Sequence, residues 1–189
     1  MFTLVDLQKE NIEEITSTGI KTTKTIYELD SIIFATGFDA MTGALMNIDI
    51  RGRSDSTIQH KWSEGPRTYL GLMISDFPNL FLITEPGSPS VLTNMIISIE
   101  QHVDWITDCL DYLRKHQLNT IETTNEVNAI VNATLVNMGN SWYLDSNVPG
   151  KTRVFMPYAA GIVLYRQKCD KVADNNHEGF QLEQITNRQ

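Results

Sequence analysis

The sequence predicts an α/β fold, and three observations carry that reading. The first forty residues alternate apolar and polar positions in short strand-like stretches. A continuous β-branched and aromatic run stands at Ser31-Ile32-Ile33-Phe34-Ala35. A long stretch from about Val91 to about His116 repeats apolar residues every three or four positions. The chain has 189 residues, 41% of them hydrophobic, 20% charged and 8% aromatic. That balance belongs to a globular protein with a real core, and it excludes disorder along the whole chain. The 23 acidic and 15 basic residues leave a formal charge of -8. Such a charge repels phosphate backbones and anionic lipid at long range, so nucleic acid and membrane surfaces are not expected partners. One basic pocket for a phosphorylated cofactor stays compatible with it.

Taken in order, Phe2 to Leu7 and Ile12 to Thr16 read as strands, Thr18-Gly19 as a turn, and Ile20 to Leu29 as a further alternating strand. The Ser31–Ala35 run, ending at Thr36-Gly37, reads either as a central parallel strand delivering its carboxyl end to a ligand crevice or simply as a core strand. From Phe38 to Asn79 the pattern breaks into turns and short elements punctuated by Gly43, Gly52, Gly65-Pro66 and Gly71. Phe77 to Thr84 then reads as another buried strand, and Pro86-Gly87-Ser88-Pro89-Ser90 breaks the backbone before the long helix.

On that helix Met95, Ile99, Val103, Ile106, Leu110 and Leu113 form the expected core-facing stripe. Pro89 and Ser90 supply a start and a cap, leaving first-turn N–H groups to face an anion or water. A second helix is expected from Thr124 to Leu135. A polar, aromatic loop follows from Asn140 to Lys151, with Trp142 either closing over a ligand or plugging a local hollow. Val154 to Tyr158 and Gly161 to Tyr165 look strand-like or buried, and the end from Asp174 looks loosely held.

Cys109 and Cys169 form no C-x-x-C pair and read as buried thiols, and the four histidines show no metal-ligand spacing. No metal is expected. The amino terminus lacks the basic and apolar regions of a signal peptide and no apolar stretch approaches the roughly 18 residues of a membrane span, so a cytoplasmic protein is expected.

The residues of several segments are familiar as a set. Ile33-Phe34-Ala35-Thr36-Gly37-Phe38-Asp39-Ala40-Met41-Thr42-Gly43 and Trp62-Ser63-Glu64-Gly65-Pro66-Arg67-Thr68-Tyr69-Leu70-Gly71 resemble the cyclohexanone-monooxygenase group of Baeyer–Villiger flavin monooxygenases. Phe77-Pro78-Asn79-Leu80-Phe81, Gly87-Ser88-Pro89-Ser90-Val91-Leu92, Asn94-Met95, Glu100-Gln101-His102-Val103, and Asn140-Ser141-Trp142-Tyr143 through Phe155-Met156-Pro157-Tyr158 continue the match in order and spacing. Nearly the whole chain is covered.

The resemblance implies the carboxyl-terminal part of a flavoprotein with two Rossmann-like dinucleotide-binding domains, for FAD and NADPH, incomplete on its own. Residues 1–35 would end the NADPH-binding domain, residues 36–116 would be the returning segment of the FAD-binding domain, and residues 117–189 a helical and loop region completing it. Such enzymes use NADPH to reduce FAD and, with O2, convert a ketone, here expected to be cyclic, into an ester or lactone; the chemistry is the flavin's and the protein positions it. By the same resemblance Met95, Asn94, Trp142, Thr36 and Gly37 contact cofactor and Phe155 lines the substrate pocket. The nucleotide fingerprints and the active-site arginine would lie upstream, in a missing amino-terminal part, so no catalytic residue is assigned within this chain. The chain alone is then expected to be inactive. Glu85 departs from the family pattern, which has glycine there, and the helix before Asn132 is shorter than the family's. A different class of function stays open: a catalytically inert remnant, or a nucleotide-binding or interaction module acting through a partner.

Overall fold

The structure is a computed structural model and describes residues 3–35, 37–89, 93–124, 150–151, 154 and 156–184. It divides into two compact units, Met1–Thr36 and Gly37–Gln189.

The first unit is a three-stranded antiparallel sheet in the order β1-β2-β3, with β1 at Ile12–Thr16, β2 at Gly19–Thr22 and β3 at Ile26–Glu28. The β1–β2 hairpin closes through Thr16, whose hydroxyl donates to the Gly19 carbonyl at 3.2 Å and accepts the Thr18 N–H at 3.3 Å. Glu10 fastens the far end, accepting hydroxyl bonds from Thr22 at 2.6 Å and Tyr27 at 3.0 Å. These two bonds, led by that from Thr22, hold the Glu10 carboxyl below its usual pKa. The expected single strand Ile20–Leu29 is therefore two strands. Thr22 breaks it, its hydroxyl accepting the Lys24 and Thr25 N–H groups in a tight turn. Residues 3–7 form no strand. Nor does Ser31–Ala35, where Ile33 is 90% exposed and Phe34 71% exposed. A central strand needs a ladder partner on each edge, and among the described residues this run has none.

The second unit begins with the expected excursion of short elements: α1 at Gly43–Met46, a 3-10 turn at Arg53–Asp55 and α2 at Ile58–Lys61. Ile58, Trp62, Ile74, Phe77 and Leu82 bury one cluster under these elements. The run Phe77–Thr84 contributes to that cluster but is not a strand. Asn79 and Thr84 both sit at positive φ, 60° and 59°, which ends any extended ladder, and only Phe81 makes an isolated bridge, to Met73.

Helix α3 runs Met95–Lys115 and ends with Arg114 and Lys115 in its last turn, where cations complement the helix dipole. Its buried face differs from the expected one. Ser98, Gln101, His102, Trp105, Cys109 and Leu113 are buried, whereas Ile99, Val103 and Leu110 are exposed and Met95 is 36% exposed. The helix carries an aliphatic stripe and a second, mixed stripe in which Ser98, Gln101 and His102 stand among Trp105, Cys109 and Leu113. An aliphatic count favours one, but the Trp105 indole and the hydrogen-bonding needs of His102 turn the other inward against α4.

Helix α4 occupies Gly161–Asp174, where strand-like or buried character was expected at Gly161 to Tyr165; Tyr165 is buried, but on a helix. It buries Tyr165, Cys169 and Val172 against Trp105, Cys109 and Leu113, and Trp105 Nε1 donates to the Cys169 carbonyl at 3.2 Å. Both cysteines are free and buried. Within the described residues 175–184 the tail is not loose: β5 at Phe180–Glu183 pairs antiparallel with β4 at Thr120–Thr123, with Ile121 opposite Leu182. Asn79 extends this pair by a bond from its N–H to the Ile121 carbonyl and another from the Ile121 N–H to its Oδ1, at 2.9 and 3.0 Å. Of the expected helix Thr124–Leu135 only Thr124 is described, its N–H donating to the Gly179 carbonyl at 3.1 Å, and the rest of it and nearly all of the loop Asn140–Lys151 lie outside the described residues.

Candidate functional site

The turn before α3 is held by three hydrogen bonds with other segments of the second unit. Thr68 Oγ1 donates to the Pro86 carbonyl at 2.5 Å, Gly87 N–H donates to the Met156 carbonyl at 2.7 Å, and Tyr158 N–H donates to the Ser88 carbonyl at 2.7 Å. Gly87 sits at φ 95°, and a Cβ there would meet Thr68 Oγ1 at 2.5 Å; Gly71, at φ 68°, lies so close that its Cβ would meet the Ser88 nitrogen at 2.6 Å. Glycine is required at both places by conformation and by close approach.

A buried relay fixes the entrance to this turn. Thr84 N–H donates to His102 Nδ1 at 3.0 Å, so Nδ1 carries no proton. Nε2–H then donates to Tyr165 Oη at 2.9 Å, and the phenol donates in turn to the Leu70 carbonyl. His102 and Tyr165 are fully buried. Burial pushes the His102 pKa down to about 4 and keeps the Tyr165 phenol protonated, so the relay is neutral at physiological pH. It holds a β-branched threonine in the left-handed region, a strained conformation maintained by its surroundings.

The adjacent Glu85 is half-buried, and burial raises its carboxyl to a pKa of about 7. Ser88 is wholly buried and its Oγ has no hydrogen-bond partner. The cap of α3 is Asn94, not Ser90: Asn94 Oδ1 accepts the Ile96 N–H at 3.0 Å. This takes one of the unsatisfied donors of the first turn, and the others point out of the amino end of the helix.

Of the residues singled out from the sequence, Asn94 and Met95 sit side by side at that amino end, and Gly37, at φ 84°, opens the second unit. Thr36, Trp142 and Phe155 lie outside the described residues. Lys151, at the end of the Trp142 loop, donates to Asp39 at 2.5 and 2.6 Å and to Thr42 Oγ1 at 2.6 Å, which ties that position to the start of the unit. Sequence reasoning missed the Thr84–His102–Tyr165–Leu70 relay. Its one available signal was a histidine between Gln101 and Val103 on a helix whose aliphatic stripe excludes it.

Among the described residues no group of His, Cys, Asp and Glu is placed to hold a metal ion, and no helix is long and apolar enough to cross a membrane. The arrangement is therefore one of a rigid turn, a helix amino end and neutral buried groups. It suits binding and orienting a polar, electron-rich edge of a ligand.

No family model matches the chain. It is 38% identical over 184 residues to a Baeyer-Villiger monooxygenase of Pseudooceanicola batsensis, a match covering 93% of this chain and 33% of that protein. The crystal structure of cyclohexanone monooxygenase from Rhodococcus sp. Phi1 bound to NADP+ superposes with a TM-score of 0.85 at 36% identity, covering 96% of this chain and 35% of that one. The crystal structure of OTEMO in complex with FAD and NADP gives a TM-score of 0.83 at 36% identity, covering 95% and 34%. The chain thus spans about a third of the length of the curated relatives it matches. The resemblance and the fold class read from the sequence are both upheld by these matches.

Proposed function

We propose that this chain, a homologue of about one third of the Baeyer–Villiger monooxygenases, is the flavin-side portion of such an enzyme, one that uses FAD, NADPH and O2 to convert a cyclic ketone to an ester or lactone. The observation that carries the reading is the clamped Thr84–Ser88 turn leading to the Asn94-capped start of α3, in a chain whose structural neighbours include one in complex with FAD and NADP.

The residues present fit an isoalloxazine edge. The amino end of α3 offers N–H donors and a favourable dipole, worth about 0.3–1 kcal/mol toward an anionic edge. Glu85 is the one opposing group, and a pKa of about 7 leaves it largely uncharged at slightly acid pH. When bound, FAD would supply the redox and oxygen chemistry. The chain's own part is to hold and orient it. Asn94 and Met95 would lie against the ring, the His102 relay would fix the turn that approaches it, and Thr36 and Gly37 would form the link between the NADPH-binding segment, residues 1–35, and the FAD-binding segment, residues 36–116. Residues 117–189 would complete that domain, with Trp142 closing over the nicotinamide and Phe155 lining the ketone pocket. The upstream part of the enzyme would be the partner that brings the phosphate-binding loops and the active-site arginine, the working location would be cytoplasmic, and the 189-residue chain alone would be inactive.

The test is NADPH oxidation by a longer chain that includes the upstream nucleotide-binding segments. Oxidation stimulated by a cyclic ketone, and reduced about ten-fold or more by Asn94→Ala, is the expected result. Absence of ketone-stimulated oxidation in a folded, flavin-loaded protein would defeat the reading.

A further inference from the structure

Helices α3 and α4 enclose a cavity of about 550 Å³ on the second unit, apart from the turn and helix start described above. Its rim is acidic. Asp104 and Asp108 stand one turn apart on α3, and Asp170 and Asp174 stand one turn apart on α4, opposed by the single guanidinium of Arg166. None of these five side chains takes part in an ion pair among the described residues, so the four carboxylates keep most of their negative potential.

The floor is the second, independent observation. Gln101 is 3% exposed and its Oε1 has no hydrogen-bond partner; its amide is hydrogen-bonded to Cys169 on the other side. His177 is 4% exposed and its Nδ1 has no partner either. Both line the cavity. Burial, and after it the neighbouring His116, lower the His177 pKa from its ordinary value, and the ring leaves its buried Nδ1 without a partner. A buried polar atom without a partner is costly, on the order of 1–3 kcal/mol, so the Gln101 amide oxygen, which can only accept, marks where a donor belongs at the bottom of the cavity. Trp105 and Tyr112 stand between floor and rim, Tyr112 stacked on His116 at 4.0 Å and both rings packed against His177.

The unpartnered Gln101 oxygen and the two aspartate pairs select the same chemistry. A bare metal ion is not the match, because no three ligating groups among the described residues converge on one point. We propose that the α3–α4 groove is a binding site for a small organic cation with several N–H donors, a polyamine or a guanidinium compound. It would place one charged nitrogen on the Gln101–His177 floor and spread the rest of its charge along the two aspartate pairs. The site is independent of the flavin reading and stands or falls separately from it.

Isothermal titration calorimetry of the purified 189-residue chain with spermidine tests the assignment, with tetramethylammonium as a cation that cannot donate hydrogen bonds. Saturable one-to-one binding of spermidine, at least ten-fold weaker binding of tetramethylammonium, and at least ten-fold loss in Asp104→Asn/Asp170→Asn at unchanged melting temperature are the expected results. Gln101→Leu, which removes the floor acceptor, should bring spermidine down to the level of tetramethylammonium. Absence of saturable binding would overturn the proposal. So would equal affinity for the two cations, or binding indifferent to the aspartate substitutions, since either reduces the effect to general attraction by a chain of charge -8. Binding by this chain that disappears in a longer chain carrying the upstream segments would also overturn it, by placing a basic side chain of those segments in the groove.

Discussion

Replacing His102 by Asn tests the buried relay at the entrance to the flavin-side turn. Asn places an amide oxygen near the position of Nδ1, so the Thr84 N–H keeps an acceptor while the Tyr165 contact and the titratable ring are lost. The working pKa of His102 is about 4, against 6.5 for an unperturbed imidazole. Because the folded-state pKa is depressed, the unfolded chain binds the proton first, and stability present above pH 6.5 is lost as pH falls toward 4. Between pH 7.5 and 4.5 this linkage amounts to about 2.5 kcal/mol for a single group. His177 is depressed as well and Glu85 is raised, but both are common to the two proteins and cancel in the comparison. Urea unfolding at half-unit pH steps is the assay. The native chain should lose about 2.5 kcal/mol more than His102→Asn across that window, while at pH 7.5 the variant starts about 1–2 kcal/mol lower for the lost phenol contact. His102→Ala, which also strands the Thr84 N–H, should start a further 1–3 kcal/mol lower, roughly the cost of an unpaired buried donor. Parallel acid limbs in the native and Asn proteins would refute the neutral-relay argument.

Three further outcomes are expected. Gly87→Ala puts a Cβ 2.5 Å from Thr68 Oγ1 at φ 95°, and should cost roughly 2–4 kcal/mol by thermal or chemical melting, whereas Gly150→Ala, with open space around it, should cost only the roughly 1 kcal/mol of its positive φ. Arg53 joins the 3-10 turn to the β4–β5 pair through Glu122 at 2.9 Å and Glu183 at 3.6 Å, and since the guanidinium is 40% exposed, Arg53→Ala should cost no more than about 1 kcal/mol, a difference that 0.5 M salt should shrink. Glu85, with a raised folded-state pKa of about 7, contributes stability that is full below pH 4.5 and lost as pH rises through 7; Glu85→Gln should flatten that decline by about 1–2 kcal/mol after allowance for solvent screening, as read by melting temperature between pH 5 and 8.

Much of the candidate site was legible in the sequence because it is written in local chemistry. Pro86, Gly87 and Pro89 announce a turn, and the run from about Val91 to about His116 is helical by period, although the cap is Asn94 and not the Ser90 that the sequence suggested. The motif set from Ile33 to Tyr158 also carried the family resemblance, which the similarity to known monooxygenases upholds. Strand identity was less legible. Phe77–Thr84 has the composition of a buried strand, but positive φ at Asn79 and Thr84 is imposed by contacts with β4 and with His102, forty-two and eighteen residues away.

By itself the sequence determined the α/β class, the acidic charge, the existence of the long helix and the position of the rigid turn before it. These follow from composition, turn chemistry and local periodicity. Tertiary structure decided which face of α3 is buried, that Gly161–Asp174 is a helix, that the tail returns as β5 beside β4, and that Thr84, His102, Tyr165 and Leu70 form one relay. Each of these depends on pairing residues far apart in the chain. Local periodicity favours burying the aliphatic stripe of α3, and the fit of Trp105 against Cys169 and the hydrogen bonds of the buried His102 turn the mixed stripe inward instead.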